Sequence, residues 1–378
     1  MKKYYMAGIY LHIPFCDTKC IYCDFYSITN HSKKTEFLDA IKKEMISRSA
    51  ELKDRTFDSI FFGGGTPSLL EAAEFRELFE VLYSNYNISA DTEITIEANP
   101  GTLSRHKLDE FRTLPINRMS FGVQSFNNDE LKFLTRIHTA EEAMESIKHA
   151  KAAAFDNLNL DLIFALPGQS LDSWKYNLEI AMELDTKHIS AYSLIFEKGT
   201  MLYSMREKKQ VSQADIDMEQ EMYEFTMEFL ESAGYKQYEI SNYAKPGYEC
   251  RHNLKYWTLE EYISFGPSAS SYFGNERWTN IKNIGRYIDL VESGKPAYDF
   301  IETIDKDTSI TEHIMLGLRS RGVYFDDFKS KHGIDFESAY VTPIQTLLSN
   351  GYAVKDESKL TLTRKGYAMC DELVATLF

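Results

Sequence analysis

Two rhythms of apolar and polar residues share the first two hundred positions. Short apolar runs at residues 8–12, 59–62, 93–97, 118–121, 157–163 and 188–194 read as six strands. The stretches between them carry apolar residues at helical spacing. Phe37, Ile41 and Met45 fall on one face after the first run, and Phe75, Leu78, Phe79 and Leu82 recur at i, i+3, i+4 and i+7 after the second. Strands that each lead into a helix predict an α/β fold with a parallel sheet, closed toward a barrel or left open. Either way, functional side chains belong in loops at the strands' C-terminal ends.

Past residue 200 the pattern changes. A long helical stretch places Met218, Met222, Phe225 and Phe229 on one side, and a tyrosine-rich region from Tyr235 to Trp278 shows no regular period. After Lys295-Pro296 the chain predicts helices over 311–320 and 337–350, a hairpin over AVKDESKLTLT and a last helix over 364–377. Helices followed by a β-wing are winged-helix-like. The expected division is 1–200 for the α/β core, 201–298 for a helical and irregular extension, and 299–378 for a small C-terminal unit.

Composition narrows the class. With 43% apolar and 26% charged residues among 378, the chain is an ordinary globular protein. Forty-two Lys and Arg against fifty-seven Asp and Glu give a net charge of −15, which argues against nucleic acid or an anionic membrane as a non-specific partner. The C-terminal unit lacks a basic stripe and reads as a packing or docking module. Lys2 and Lys3 before an apolar stretch superficially resemble a signal peptide, but His12 and Pro14 interrupt it and no small-residue cleavage site precedes Cys16. No run reaches transmembrane length, so a cytoplasmic protein is expected.

Five cysteines are an odd number, and Cys16, Cys20 and Cys23 crowd into eight residues. Clustered thiols in a long chain read as metal ligands in a reducing compartment, not as a disulfide framework. Cys370, in the last helix, reads as a small packed hydrophobe. The loop HIPFCDTKCIYCDF has C-x3-C-x2-C spacing directly after the first strand. Three thiolates there can hold three irons of a cubane cluster and leave the fourth iron open to a ligand. A Cys3His zinc site using His12, or three ordinary thiols, are the plain alternatives.

Other polar residues follow the later strands. Gly63-Gly64-Gly65-Thr66 ends the second and would let backbone approach a ligand closely. Glu97 offers acceptors to paired hydroxyls, Gln124 a donor and an acceptor, Arg136 a partner for a carboxylate, and Asp161 an acceptor for hydroxyls or a cation. Each alone could be a surface or capping residue; together they would ring one barrel mouth.

The C-x3-C-x2-C loop with aromatic Tyr22 before its third cysteine resembles that of the radical S-adenosylmethionine (SAM) superfamily. The resemblance implies a partial (β/α)6 barrel and a [4Fe–4S] cluster on Cys16, Cys20 and Cys23, with SAM on the open iron. YLHIPFC, FGGGTPS, IEANPGT, RMSFGVQSF, RIHT and LDLIFALPGQ extend it to the coproporphyrinogen oxidase-like branch across nearly the whole chain. By that resemblance Tyr10, Gly64, Gly65, Thr66, Glu97, Gln124, Arg136, Asp161 and Leu194 would contact SAM.

Within the branch, oxygen-independent coproporphyrinogen III oxidases decarboxylate two propionates, whereas heme chaperones bind heme for transfer to acceptor proteins. The oxidase pattern carries a further cysteine two positions after the third, and here that residue is Phe25. The oxidase N-terminal extension has no counterpart before the first strand. HNLKYW, residues 252–257, matches the chaperone motif H-N-x-x-Y-W. These departures imply a heme chaperone without coproporphyrinogen oxidase activity, with the oxidase as the alternative. His252 becomes a candidate heme ligand and Cys250 a second, although a motif of this kind could equally cover a core. Heme, heme-accepting proteins and a cellular reductant are the implied partners, together with peripheral contact with membrane heme proteins. Since heme is anionic and the protein acidic, binding must come from iron ligation, apolar stacking or a local Arg or Lys.

Overall fold

The computed structural model describes residues 6–377; Lys2 and Lys3 lie outside the described residues. All six expected strands form: β1 (Ala7–Ile13), β2 (Thr56–Gly64), β3 (Asn87–Ala98), β4 (Arg118–Gln124), β5 (Leu158–Phe164) and β6 (His188–Ser193). They pair in parallel in chain order, with Leu11 beside Phe62, Glu97 beside Ser120 and Asp161 beside Ser190. Helices cover the sheet, so β1 and β5 are buried along nearly their whole length.

The intervening helices follow the apolar spacing. Helix Ala72–Asn85 buries Phe75, Leu78, Phe79 and Leu82, and starts with a capping box between Glu71 and Glu74. Helix Lys34–Arg48 buries Phe37, Ile41 and Met45. Helix Ile216–Ser232 is turned relative to expectation: Met222, Thr226, Met227 and Leu230 are buried, while Met218, Phe225 and Phe229 pack only partly against the core. Thr226 draws this face inward by accepting a bond from Trp174 Nε1 (2.8 Å).

The stretch from Tyr235 to Trp278, expected to be irregular, extends the sheet on both sides. β7 (Lys236–Gln237) and β8 (Asn242–Ala244) continue it antiparallel beside β6. On the other side β9 (Tyr262–Phe265) lies parallel to β1, followed by β10 (Ser270–Phe273), β11 (Glu276–Asn280) and β12 (Tyr298–Thr303). Among the described residues twelve strands thus share one sheet. Strands of two to five residues carry too few positions for a period to register.

The C-terminal unit contains helix Lys306–Leu318, helix Phe325–His332, two short helices at Phe336–Ala339 and Val341–Ser349, and a hairpin of β14 (Ala353–Lys355) and β15 (Lys359–Leu362). β13 (Val323–Tyr324) adds a third strand beside β15. Arg364–Ala368 and Cys370–Leu377 replace the one terminal helix expected, and Cys370 is buried. Arg277 ties this unit to the sheet by pairing with Glu302 (2.7 Å) and Glu312 (3.0 Å).

Candidate functional site

β1 delivers the chain into the cysteine loop. Phe15 bridges Ile28, Cys16 N–H donates to Ile28 O (3.0 Å), and Ile28 N–H donates to Pro14 O (2.8 Å). The loop is pinched at its base, and on its turn Cys23 N–H donates to Cys20 O (3.2 Å). Burial pushes the Cys23 thiol up to about 11 and raises that of Cys16 as well. Burial thus favours the protonated thiols of Cys16 and Cys23, and iron binding would displace their protons.

Two donors point at sulfur. Thr66 Oγ1 donates to Cys16 Sγ (3.4 Å) and Arg136 Nη1 to Cys20 Sγ (3.4 Å). Asn99 joins them: its Nδ2 donates to Thr66 Oγ1 (2.9 Å) and its Oδ1 accepts from Arg136 Nη2 (2.6 Å). That nitrogen also donates to Gly122 O (2.6 Å), while Arg136 Nε has no partner among the described residues. Among the described residues the guanidinium thus has neutral oxygens, the Tyr22 hydroxyl and a thiol around it but no carboxylate. An anionic group fits here, which iron-bound thiolates or a ligand carboxylate would supply.

A zinc site fits less well. His12 Nε2 bonds Tyr26 O (2.8 Å) and its Nδ1 bonds Tyr10 OH (3.1 Å), so both ring nitrogens are committed away from the cysteines. Among the described residues, no three His, Cys, Asp or Glu side chains form a group close enough for one metal ion. Thiolates on separate irons of a cubane need no such convergence.

The glycine triplet is required by protein contacts. A Cβ on Gly65 would lie 2.6 Å from Phe15 O, and one on Gly64, where φ is +111°, would lie 2.5 Å from the His12 ring. The absent side chains let the end of β2 press against the end of β1, so the triplet's first role is to seat the cysteine loop. Gly64 N–H donates to Glu97 Oε2 (3.0 Å). Burial, followed by the negative charge of Asp161, pushes Glu97 up to about 8. Asp161 accepts from Asn159 (2.7 Å) and Ser120 (3.2 Å), and burial raises it as well.

These side chains sort into neighbouring groups. Tyr10, Gly64, Glu97, Asp161 and His252 line one cavity of about 430 Å³, whose wall also includes Phe25, Phe61, Arg118, Tyr256 and Lys282. Cys16, Cys20, Thr66 and Arg136 form the thiol group beside it. Gln124 approaches that group, since its Nε2 and Arg136 Nη2 both crowd Gly122. Leu194 instead packs with Ile21, Ile163 and Leu202 in a small apolar cluster under the cysteine loop, with Tyr22 at its edge.

HNLKYW starts a short helix, Arg251–Trp257, whose His252 is buried. Its Nδ1 bonds Ser59 Oγ (3.0 Å), its Nε2 bonds Tyr256 OH (2.9 Å), and its ring stacks on Phe61. Burial, with Lys255 and Arg118 adding like charge, pulls it down to about 3, so the imidazole is neutral. A neutral imidazole is the form that can ligate a metal, at the expense of one hydrogen bond. Cys250 differs: it is fully buried, absent from the cavity lining, and its thiol contacts Glu93 Oε1 (3.5 Å). Burial pushes it up to about 12. Sequence reasoning passed over Asn99 and Arg118, though both lie in motifs it had singled out, IEANPGT and RMSFGVQSF.

Known proteins resemble this chain in sequence and in fold. A radical SAM superfamily model matches residues 10–180, and a HemN C-terminal domain model matches 304–369. A Bacillus subtilis protein named heme chaperone HemW is 37% identical, over 97% of this chain and 98% of its own length. The Lactococcus lactis protein of the same name is 34% identical, over 95% and 94%. Among solved structures, Escherichia coli coproporphyrinogen III oxidase (HemN), a radical SAM enzyme, superposes with a TM-score of 0.84 over 98% of this chain and 89% of its own, at 23% identity. That likeness is one of fold.

Proposed function

The chain belongs to the family of proteins named heme chaperone HemW, within the radical SAM superfamily, and on that premise we propose that it binds heme and passes it to heme-accepting proteins. Identity to HemW proteins along essentially the full chain is the observation that carries this reading. In it Cys16, Cys20 and Cys23 hold a [4Fe–4S] cluster and SAM occupies the barrel mouth. When bound, the cluster supplies an open iron and one-electron chemistry.

The chain's own residues have separable tasks. Thr66 and Arg136 donate hydrogen bonds to ligand sulfurs, and Asn99 holds both donors in place. Tyr10, Gly64, Gly65, Glu97, Gln124, Asp161 and Leu194 complete the SAM surface. Glu97 and Asp161 serve as hydroxyl acceptors, and Leu194 serves as an apolar support beneath the cysteine loop. His252, in the aromatic wall with Phe61 and Tyr256, is the heme ligand, exchanging one of its hydrogen bonds for iron. Cys250 is a poorer candidate because its thiol is outside the cavity. All five cysteines are free, which suits a reducing compartment and supports a cytoplasmic location. Among the described residues no helix is long and apolar enough to cross a membrane, so delivery to membrane heme proteins would be by peripheral contact. A cellular reductant would set the cluster's redox state.

Phe25 favours the chaperone over the oxidase. It stands two positions after Cys23, is 63% exposed and forms part of the cavity wall. The deciding assay incubates the anaerobically reconstituted protein with reductant, SAM and coproporphyrinogen III and analyses the tetrapyrroles. The chaperone reading expects unchanged substrate, and protoporphyrinogen IX would overturn it. Iron and sulfide content from the same preparation separates the cluster from a zinc centre.

A further inference from the structure

Arg118, the first residue of β4, is 1% exposed, yet it lines the cavity. Its guanidinium makes no hydrogen bond among the described residues, and its Nε is shut in without a partner. Cys250, Glu93, Tyr238 and Asp161 surround it electrostatically, and the two acids among them are engaged elsewhere. Glu93 Oε1 accepts from Arg251 N–H (2.9 Å) and His252 N–H (3.4 Å), and Asp161 accepts from Asn159 and Ser120. Buried Lys255 shows what a structural cation looks like in the same region, bonded to Asp58 (2.7 Å), Glu260 (3.0 Å) and Met6 O (2.9 Å). A buried arginine whose donors are all unused, facing a cavity, is costly unless an acceptor arrives.

We propose that Arg118 is the anchor for a carboxylate of the cavity's ligand, and that this ligand is a planar aromatic acid lying along the Tyr10, Phe61 and Tyr256 wall. A planar guanidinium matches a carboxylate with two parallel hydrogen bonds. The carboxylates of Glu93 and Asp161 lie near it, so the site suits a singly charged carboxylate better than a phosphate dianion. The inference rests on the heme reading, in which the carboxylate is a propionate. Lys282, the other cation of the cavity wall, is exposed and can keep its hydration; it does not take the anchoring role.

The test compares hemin with its dimethyl ester by titration of the reconstituted protein, in the unaltered chain and in the Arg118→Met and Lys282→Met variants. Esterification should weaken binding to the unaltered chain by about tenfold or more, the value of a charge-assisted bond. Arg118→Met should lose a similar factor for hemin and no longer distinguish acid from ester, while Lys282→Met should still distinguish them. If Arg118→Met does not fold, Arg118→Lys replaces it. Lysine keeps the charge but not the fork, so discrimination should shrink, and full discrimination would overturn the proposal. Equal binding of acid and ester by the unaltered chain, or discrimination lost in Lys282→Met instead, overturns this inference and leaves the heme reading standing. A chain that binds neither compound overturns both.

Discussion

The cysteine loop and the segment carrying His252 each bring a motif to the barrel, but they leave its side chains in different states. On the loop, Cys20 meets Arg136 and Tyr22, and Arg136 has no carboxylate partner among the described residues. In HNLKYW, both nitrogens of His252 are bonded, its ring is stacked, and neighbouring Lys255 is surrounded by acceptors. The first arrangement is incomplete without a further group, whereas the second is already a satisfied piece of interior. The contrast teaches that a motif residue can serve structure and ligand together, and that the unsatisfied groups are the better guide to where ligands go.

Replacing residues on either side should therefore give different failures. The largest effect expected is that of Cys20→Ala, which should abolish bound iron and acid-labile sulfide after anaerobic reconstitution while the fold survives, because the residue is only partly buried. Retained iron and sulfide would remove the asymmetry. His252→Ala should do the reverse. It strands Ser59 and Tyr256 and opens a void against Phe61, costing about 2–4 kcal/mol in urea unfolding, and it should weaken heme binding with cluster content unchanged. A variant of full stability would show that the bonds of His252 carry little.

The glycines sharpen the comparison further. Gly64→Ala should cost about 2–3 kcal/mol, because φ is +111° and its Cβ meets the His12 ring. Gly168→Ala, also at positive φ but facing open space, should cost only about 1 kcal/mol. Equal losses would mean that backbone strain, not contact with β1, sets the price of the triplet.

The pH dependence sharpens the comparison from another side. Glu97 is raised from 4.5 to about 8 in the fold by burial and Asp161, so the folded state binds its proton more tightly than the unfolded chain. Its contribution to stability is complete below pH 4.5 and is lost as pH rises through about 8. Glu97→Gln should flatten that decline relative to the unaltered chain in urea melts across this window. Parallel profiles would show that the carboxyl is not held protonated.

The sequence made some of this legible and left other parts hidden for identifiable reasons. Long apolar runs such as Gly8–His12 and Asn157–Ile163 carry enough positions to mark strands, and C-x3-C-x2-C identifies its own chemistry. β7 to β11 escaped because two to five residues hold no period. Arg118 and Asn99 were visible as letters within motifs, but whether a polar group is satisfied depends on distant chain, as with Arg118 beside Glu93, Asp161 and Cys250. Gly64 and Gly65 read in the sequence as positions where backbone approaches a ligand; the structure shows that their missing side chains face His12 and Phe15. The turned face of helix Ile216–Ser232 followed from the hydroxyl of Thr226 meeting Trp174, a partner fifty-two positions away.

The central claim is that this chain carries heme in order to give it up. The most direct measurement loads the reconstituted protein with heme, adds a heme-free acceptor protein, separates the two and follows heme absorbance in each. The account predicts that the chain takes up heme and that heme moves to the acceptor. Failure to bind heme with an intact cluster, or heme that stays on the chain against every acceptor offered, would contradict it.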